Sequence, residues 1–288
     1  MIGSRSKSFN QKLDFISSNK ITKTILALDL AYRRDVSGLL HDAKDLVEKV
    51  SDYICAVKIN YHLLLPLSIS DITSLNDKIS DAGLISIADI KLNDIGNTNR
   101  VAVDYLWNSG FSGVIVNPFV GYRGALDSVY QDAARLQKGV ISLAYMSHEG
   151  ADEGFGMTIS NKLTIFDEFL KRATKWKSSG VIIGTTQPAK ISHARRFLDE
   201  KIKIICPGSG TQGGDAVSAL RAGADYIIVG RSITESNDPV VSAKNYQLLT
   251  STATRLLHEE HSSRSRKSNV LKPVRSSATH SQNVRKKF

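Results

Sequence analysis

Short, nearly continuous apolar runs recur eight times along this chain and alternate with stretches whose apolar residues fall at helical spacing. The runs cover residues 24–29, 53–58, 85–90, 112–116, 138–143, 179–183, 202–206 and 225–229. Apolar runs of this length without polar alternation fit parallel strands buried on both faces. The intervening helical patterns include 35–49, 97–108, 123–136, 161–176, 187–198, 213–222 and 239–258. Strands alternating with helices in this way predict a single-domain α/β fold, a (β/α)8 TIM barrel. A doubly wound sheet would be expected to carry a Gly-x-Gly-x-x-Gly turn after its first strand. Here the first run continues through Leu30, Ala31, Tyr32, Arg33 and Arg34 to Asp35 without a glycine.

The barrel is expected over residues 21–260. A polar lead, 1–20, precedes it, with a short helix around Phe9 to Ile16. A basic segment, 261–288, follows. That last segment holds eight Lys/Arg and no Asp or Glu, and few large apolar groups, so it is expected to be disordered. The chain carries a net charge of +10; the eight basic residues of the tail account for most of it and leave +2 for residues 1–260. A nearly neutral body argues against a nucleic-acid-binding barrel and leaves any such contact to the tail. No apolar run approaches the roughly 20 residues that span a bilayer. The first ten residues lack the apolar core of a signal peptide, so a cytoplasmic, membrane-free protein is expected. Cys55 and Cys206 each sit inside an apolar run, and two isolated cysteines make neither a disulfide framework nor a zinc site. Both read as small buried hydrophobes.

In a barrel, chemistry sits at the C-terminal strand ends and the loops that follow them. The first run ends in Asp29, the second in Lys58, and the third in Asp89-Ile90-Lys91-Leu92-Asn93-Asp94. Residues two apart on a strand share a face, so Asp89 and Lys91 point the same way and Ile90 points oppositely. Asp29, Lys58, Asp89 and Lys91 are therefore expected to crowd one mouth, where alternating carboxylates and ammoniums keep each other ionised. A salt-bridge plug is the plain alternative for any one of them, but it does not explain charged residues closing three successive apolar strands. The seventh run leads into a glycine-rich loop from Pro207 and Gly208 to Asp215, and the eighth into Gly230-Arg231-Ser232. Loops after strands seven and eight are the usual phosphate site of this fold. Glycines let backbone N–H groups approach an anion, and Arg231 adds a permanently charged, bidentate partner.

These residues resemble a known family. Asp89-x-Lys91-x-x-Asp94-Ile95-Gly96-Asn97-Thr98 is similar to the signature of orotidine 5′-phosphate decarboxylases. ILALD at 25–29, VKI at 57–59, MSHEGA at 146–151, PGSGTQGGD at 207–215 and VGRSI at 229–233 match further blocks in order, and the resemblance covers about residues 22–258. The Asp-x-Lys-x-x-Asp core alone is shared with metal-dependent hexulose-6-phosphate synthases, the main alternative; the Gly96-Asn97-Thr98 continuation favours the decarboxylase. The basic tail lies outside the family pattern.

The resemblance implies the conversion of orotidine 5′-phosphate to uridine 5′-phosphate and CO2, without metal or organic cofactor, by a homodimer with shared active sites. It implies that Lys91 protonates C6 of the pyrimidine and that Asp89 lies against the departing carboxylate. Lys58 and Asp94 would complete the charged network, Asp94 from the second subunit. Asp29, Lys58 and Thr98 would contact ribose, and Ser147 the pyrimidine edge. Gln212, Gly230 and Arg231 would hold the phosphate, with Pro207, Gly208 and Gly213 in the same loop. The chemistry agrees: loss of CO2 leaves an in-plane carbanion at C6 that no carbonyl in direct conjugation absorbs, so a preorganised cation that is also a proton donor is needed there.

Overall fold

The computed structural model describes residues 7–210 and 215–270, with residues 258 and 261–270 traced by backbone alone. Eight parallel strands close into a barrel: β1 (Thr24–Ala27), β2 (Ala56–Asn60), β3 (Ile85–Leu92), β4 (Gly113–Val116), β5 (Gly139–Tyr145), β6 (Gly180–Ile183), β7 (Lys203–Pro207) and β8 (Tyr226–Val229). Each strand pairs with the next in sequence, and β8 returns to β1. All eight apolar runs of the sequence contribute a strand. The second is displaced toward its C-terminal end, because Ser51–Tyr53 form a 3-10 turn first.

The strands carry two apolar layers. Side chains such as Val57, Ala88, Val114 and Ile204 face outward onto the helices, while Ile25, Ile87, Ile141 and Ile205 fill the barrel interior. Helix α1 (Phe9–Lys20) closes the N-terminal end. It is longer than the short helix expected in the polar lead, and Ser8 and Gln11 start it with a reciprocal capping box. Phe9 and Leu13 of α1 enter the inner layer. Phe9 lies so close to the first residues of β4 and β5 that a Cβ at Gly113 or Gly139 would come within 2.8 or 2.4 Å of its ring. The two glycines make room for the plug.

The outer helices used below are α2 (Val36–Val50), α3 (Ile69–Asp81), α4 (Gly96–Asn108), α5 (Asp127–Leu136), α6 (Ile165–Lys175), α7 (Pro188–Phe197), α8 (Ala216–Arg221), α9 (Arg231–Thr234) and α10 (Pro239–Val270). The last, α10, continues ten residues past the boundary placed at 260. The reason is local, since no glycine or proline interrupts the chain between Pro239 and Pro273. Residues 271–288 of the expected tail lie outside the described residues. Among the described residues, no helix is long and apolar enough to cross a membrane. Cys55 and Cys206 are buried free thiols, and burial pushes Cys55 up to about 12.

Candidate active site

The register of the first three strands assembles the charged cluster. Ala27 of β1 pairs with Lys58 of β2, and Asn60 of β2 pairs with Asp89 of β3. Lys58 thus stands between the carboxylates of the two neighbouring strands. Its ammonium lies 2.9 Å from Asp89 Oδ2 and 3.6 Å from Asp29 Oδ1. Lys91 Nζ donates to the other oxygen of Asp89 at 2.8 Å. The result is a chain, Asp29–Lys58–Asp89–Lys91, in which Lys58 and Asp89 are buried and the two ends face the cavity.

Burial is the largest influence on Asp89 and raises its pKa, but Lys58 and Lys91 together outweigh it and hold the carboxyl below its ordinary value. A carboxylate that stays ionised inside an apolar barrel keeps both neighbouring ammoniums oriented.

Lys91 reaches this position through a distortion of β3. The pairing with β4 runs from Ala88↔Val114 to Leu92↔Val116, so β3 carries two more residues than its partner over that interval. Lys91 itself adopts a left-handed backbone, φ 45°, which is uncommon for a residue with a Cβ. Such a bulge re-aims a side chain at the strand end. Lys91 lines the cavity beside Asp89, while Ile90 packs outward against the helix layer, as the two-residue alternation predicts.

The cavity at this mouth is lined by Asp29, Lys58, Asp89 and Lys91 on one side and by Ser147, Pro207, Gly208, Gly230 and Arg231 on the other. Its floor is apolar: Ile115, Leu143, Ile182 and Ile228 come from four different strands. Gly208 has a φ of 99°, a left-handed backbone suited to glycine, and Pro207 O accepts from Thr185 N at 2.8 Å. Arg231 opens the short α9, is exposed at the rim, and makes no ion pair among the described residues. Gln212 and Gly213 lie outside the described residues.

Ser147 is held from two sides. Gly184 packs so closely that a Cβ there would sit 2.6 Å from Ser147 Cα, and Thr186 Oγ1 donates to Ser147 O at 3.4 Å. The following 3-10 turn is tied back by the Tyr145 hydroxyl, which donates to Asp152, and by Lys190 of α7, 3.5 Å from the same carboxylate.

Asp94 and Thr98 are not brought into this cavity. Both are exposed, beyond the end of β3 and on the first turn of α4. The backbone of Asp94 is nonetheless fixed: its N–H donates to Asn99 Oδ1 at 3.1 Å, and fully buried Asn99 also donates to Ala125 O at 3.0 Å. The α4 face beside Thr98 exposes Val101 and Tyr105, and Ile95 at its start is exposed as well.

Two kinds of residue escaped sequence reasoning. The floor residues read only as strand core, because nothing in an apolar run says which end meets solvent. Asn60 was passed over although it stands two residues after Lys58, on the same face, and lines the cavity. Among the described residues, no group of three or more His, Cys, Asp or Glu side chains is placed to hold a metal ion.

Residues 22–246 match the family model for orotidine 5′-phosphate decarboxylase / HUMPS. The chain is 39% identical over 220 residues to an orotidine 5′-phosphate decarboxylase of Pyrococcus furiosus, covering 76% of this chain and 93% of that protein. It is 38% identical over 223 residues to one of Thermococcus kodakarensis, covering 77% and 94%. Among solved structures, that of the Pyrococcus horikoshii OT3 enzyme aligns with a TM-score of 0.64 at 37% identity, over 78% of this chain and 97% of that one. The Methanocaldococcus jannaschii enzyme complexed with inhibitor BMP aligns with a TM-score of 0.68 at 29% identity, over 80% and 98%.

Proposed function

The chain belongs to the orotidine 5′-phosphate decarboxylase / HUMPS family, and we propose on that premise that it converts orotidine 5′-phosphate to uridine 5′-phosphate and CO2, the step that completes uridine monophosphate in pyrimidine biosynthesis. It is a carbon–carbon lyase. The observation that carries the site assignment is the hydrogen-bonded chain Lys58–Asp89–Lys91 at the open end of the barrel, with Asp89 held ionised.

In this reading the bond between C6 and the substrate carboxylate breaks, CO2 leaves, and the electron pair stays at C6. The Lys91 ammonium faces that developing charge and delivers its proton, giving uridine 5′-phosphate; the neutral amine recovers a proton from solvent. Asp89 orients Lys91 and lies against the departing carboxylate. Lys58 keeps Asp89 charged and, with Asp29, reaches the ribose. The apolar floor excludes water beneath the base and strengthens these charges. Ser147 takes the pyrimidine edge. Arg231 and Gly230, with Pro207, Gly208 and the 212–213 segment, take the phosphate, whose binding energy helps to close the site.

The working unit in this reading is a homodimer. Asp94 and Thr98 stand outside their own cavity beside the exposed Ile95, Val101 and Tyr105, and this apolar α4 face would carry them into the partner's mouth.

The deciding experiment follows orotidine 5′-phosphate by ultraviolet absorbance with the purified chain in excess chelator. Sustained conversion supports the cofactor-free decarboxylase. No conversion overturns it, and conversion that chelator abolishes points to a metal-dependent chemistry instead.

A further inference from the structure

Asn60 is the last residue of β2, in register with Asp89 of β3, and it lines the cavity together with Lys58. Its Oδ1 is buried and makes no hydrogen bond. A buried carboxamide oxygen left without a donor is unfavourable and needs an explanation. The surroundings supply no donor. Asp29 and Asp89, the neighbouring site residues, present acceptor oxygens, and the Lys58 ammonium is directed to Asp89 at 2.9 Å and Asp29 at 3.6 Å. Asp29 Oδ1 is itself buried without a hydrogen bond. Two acceptors without a hydrogen bond therefore belong to residues that line the same cavity, at the ends of adjacent strands.

We infer that Asn60 is a specificity-determining residue that accepts a hydrogen bond from a ribose hydroxyl of the substrate. The inference rests on the reading of this site as one for orotidine 5′-phosphate. The phosphate and carboxylate of that substrate are acceptors, so its donors are the two ribose hydroxyls and the N3–H of the base. The barrel order decides between them. The phosphate loops follow β7 and β8, Lys91 stands on β3, and Ser147 follows β5. Strands β1 and β2 lie between β8 and β3, so the part of the substrate between its phosphate and C6 passes over Asp29 and Asn60. That part is the ribose. N3 lies across the ring from C6, toward the β5 side. A vicinal diol offers two donors side by side, which suits two neighbouring acceptors that make no hydrogen bond.

The test compares kcat/KM for orotidine 5′-phosphate and for its 2′-deoxy and 3′-deoxy analogues in wild type and Asn60→Ala. Loss of one hydrogen bond predicts a KM about tenfold higher for the ribonucleotide, with kcat less affected. The specific outcome is that discrimination against one of the two deoxy analogues falls about tenfold in Asn60→Ala, while discrimination against the other is kept. A variant that retains wild-type discrimination against both analogues overturns the inference. Asn60→Ser replaces Asn60→Ala if the latter does not fold. Wild type that fails to convert orotidine 5′-phosphate at all overturns the underlying reading instead, and the inference with it.

Discussion

Lys91, the proposed proton donor, adopts a left-handed backbone that is uncommon for a residue with a Cβ. An L-residue in that conformation costs about 1–2 kcal/mol relative to glycine, and such strain persists where the surrounding structure enforces it. Both Lys91→Ala and Lys91→Gly should therefore abolish turnover while remaining folded, but Lys91→Gly should be the more stable by about 1 kcal/mol. Urea unfolding of the two variants measures the difference; equal stability would show that the backbone at residue 91 is not strained. Asp89 gives a pH dependence of known sign. Its carboxyl is held below the unfolded value by Lys58 and Lys91 despite burial. As pH falls, the unfolded chain takes up the proton first, so the contribution is complete above about pH 4 and is lost as pH falls through the lower folded value. Asp89→Asn should consequently lose stability less steeply than wild type as pH falls below about 4 in the same urea assay. The cluster itself was legible in sequence because Asp29, Lys58, Asp89 and Lys91 interrupt apolar runs. Asn60 was not, since an uncharged amide after a strand gives no contrast with an ordinary turn residue.

At the level of elements, the eight strands were readable for a simple reason: burial on both faces leaves an unbroken apolar signature. Two of the elements that failed to read had a physical cause. The antiparallel pair Thr158–Ser160 and Leu163–Thr164 lies over the protein surface, so its first strand is exposed throughout and shows no alternation. Its turn residues, Asn161 and Lys162, adopt positive φ of 42° and 66° without the glycine that usually signals such a turn. Helix α3 is the exception: it is absent from the helical patterns above although its start, the reciprocal Ser68–Asp71 cap, and its apolar face at Ile72, Leu75 and Ile79 are present in the sequence. Helix α1 looked like part of a polar lead because its only apolar side chains in the inner cluster are Phe9 and Leu13, with Ile16 partly buried against it, and Phe9 fits a hole defined by Gly113 and Gly139 far along the chain. Phe9→Ala should leave that hole empty and cost about 3–5 kcal/mol of stability. Because the plug sits at the end opposite the cavity, the folded variant should keep its kcat and KM. A denaturation curve beside steady-state kinetics checks both halves, and a large rise in KM would show that the two ends of the barrel are coupled.

The whole molecule decides the role of the residues that one barrel leaves outside its own cavity. Asp94 and Thr98 belong to the same sequence motif as Asp89 and Lys91, yet they are exposed beyond β3, next to an apolar α4 face. A second copy related by twofold symmetry presents the same face in return, so each mouth would receive the other's Asp94. Subunit mixing converts this into a measurement. Lys91→Ala and Asp94→Ala should each be nearly inactive alone, since every site in either homodimer carries one lesion. In a mixed dimer built with shared sites, one site collects both lesions and the other collects neither. Random reassortment of equal amounts makes half of the dimers mixed, each with one intact site, so about a quarter of wild-type activity per site should return. If each barrel instead bends its own Asp94 into its own mouth, both sites of the mixed dimer stay defective and nothing returns. Native mass spectrometry of the mixture separates that outcome from a failure of the subunits to exchange, because it counts the mixed dimers directly. Mixed dimers without activity would therefore place the complete site within a single chain.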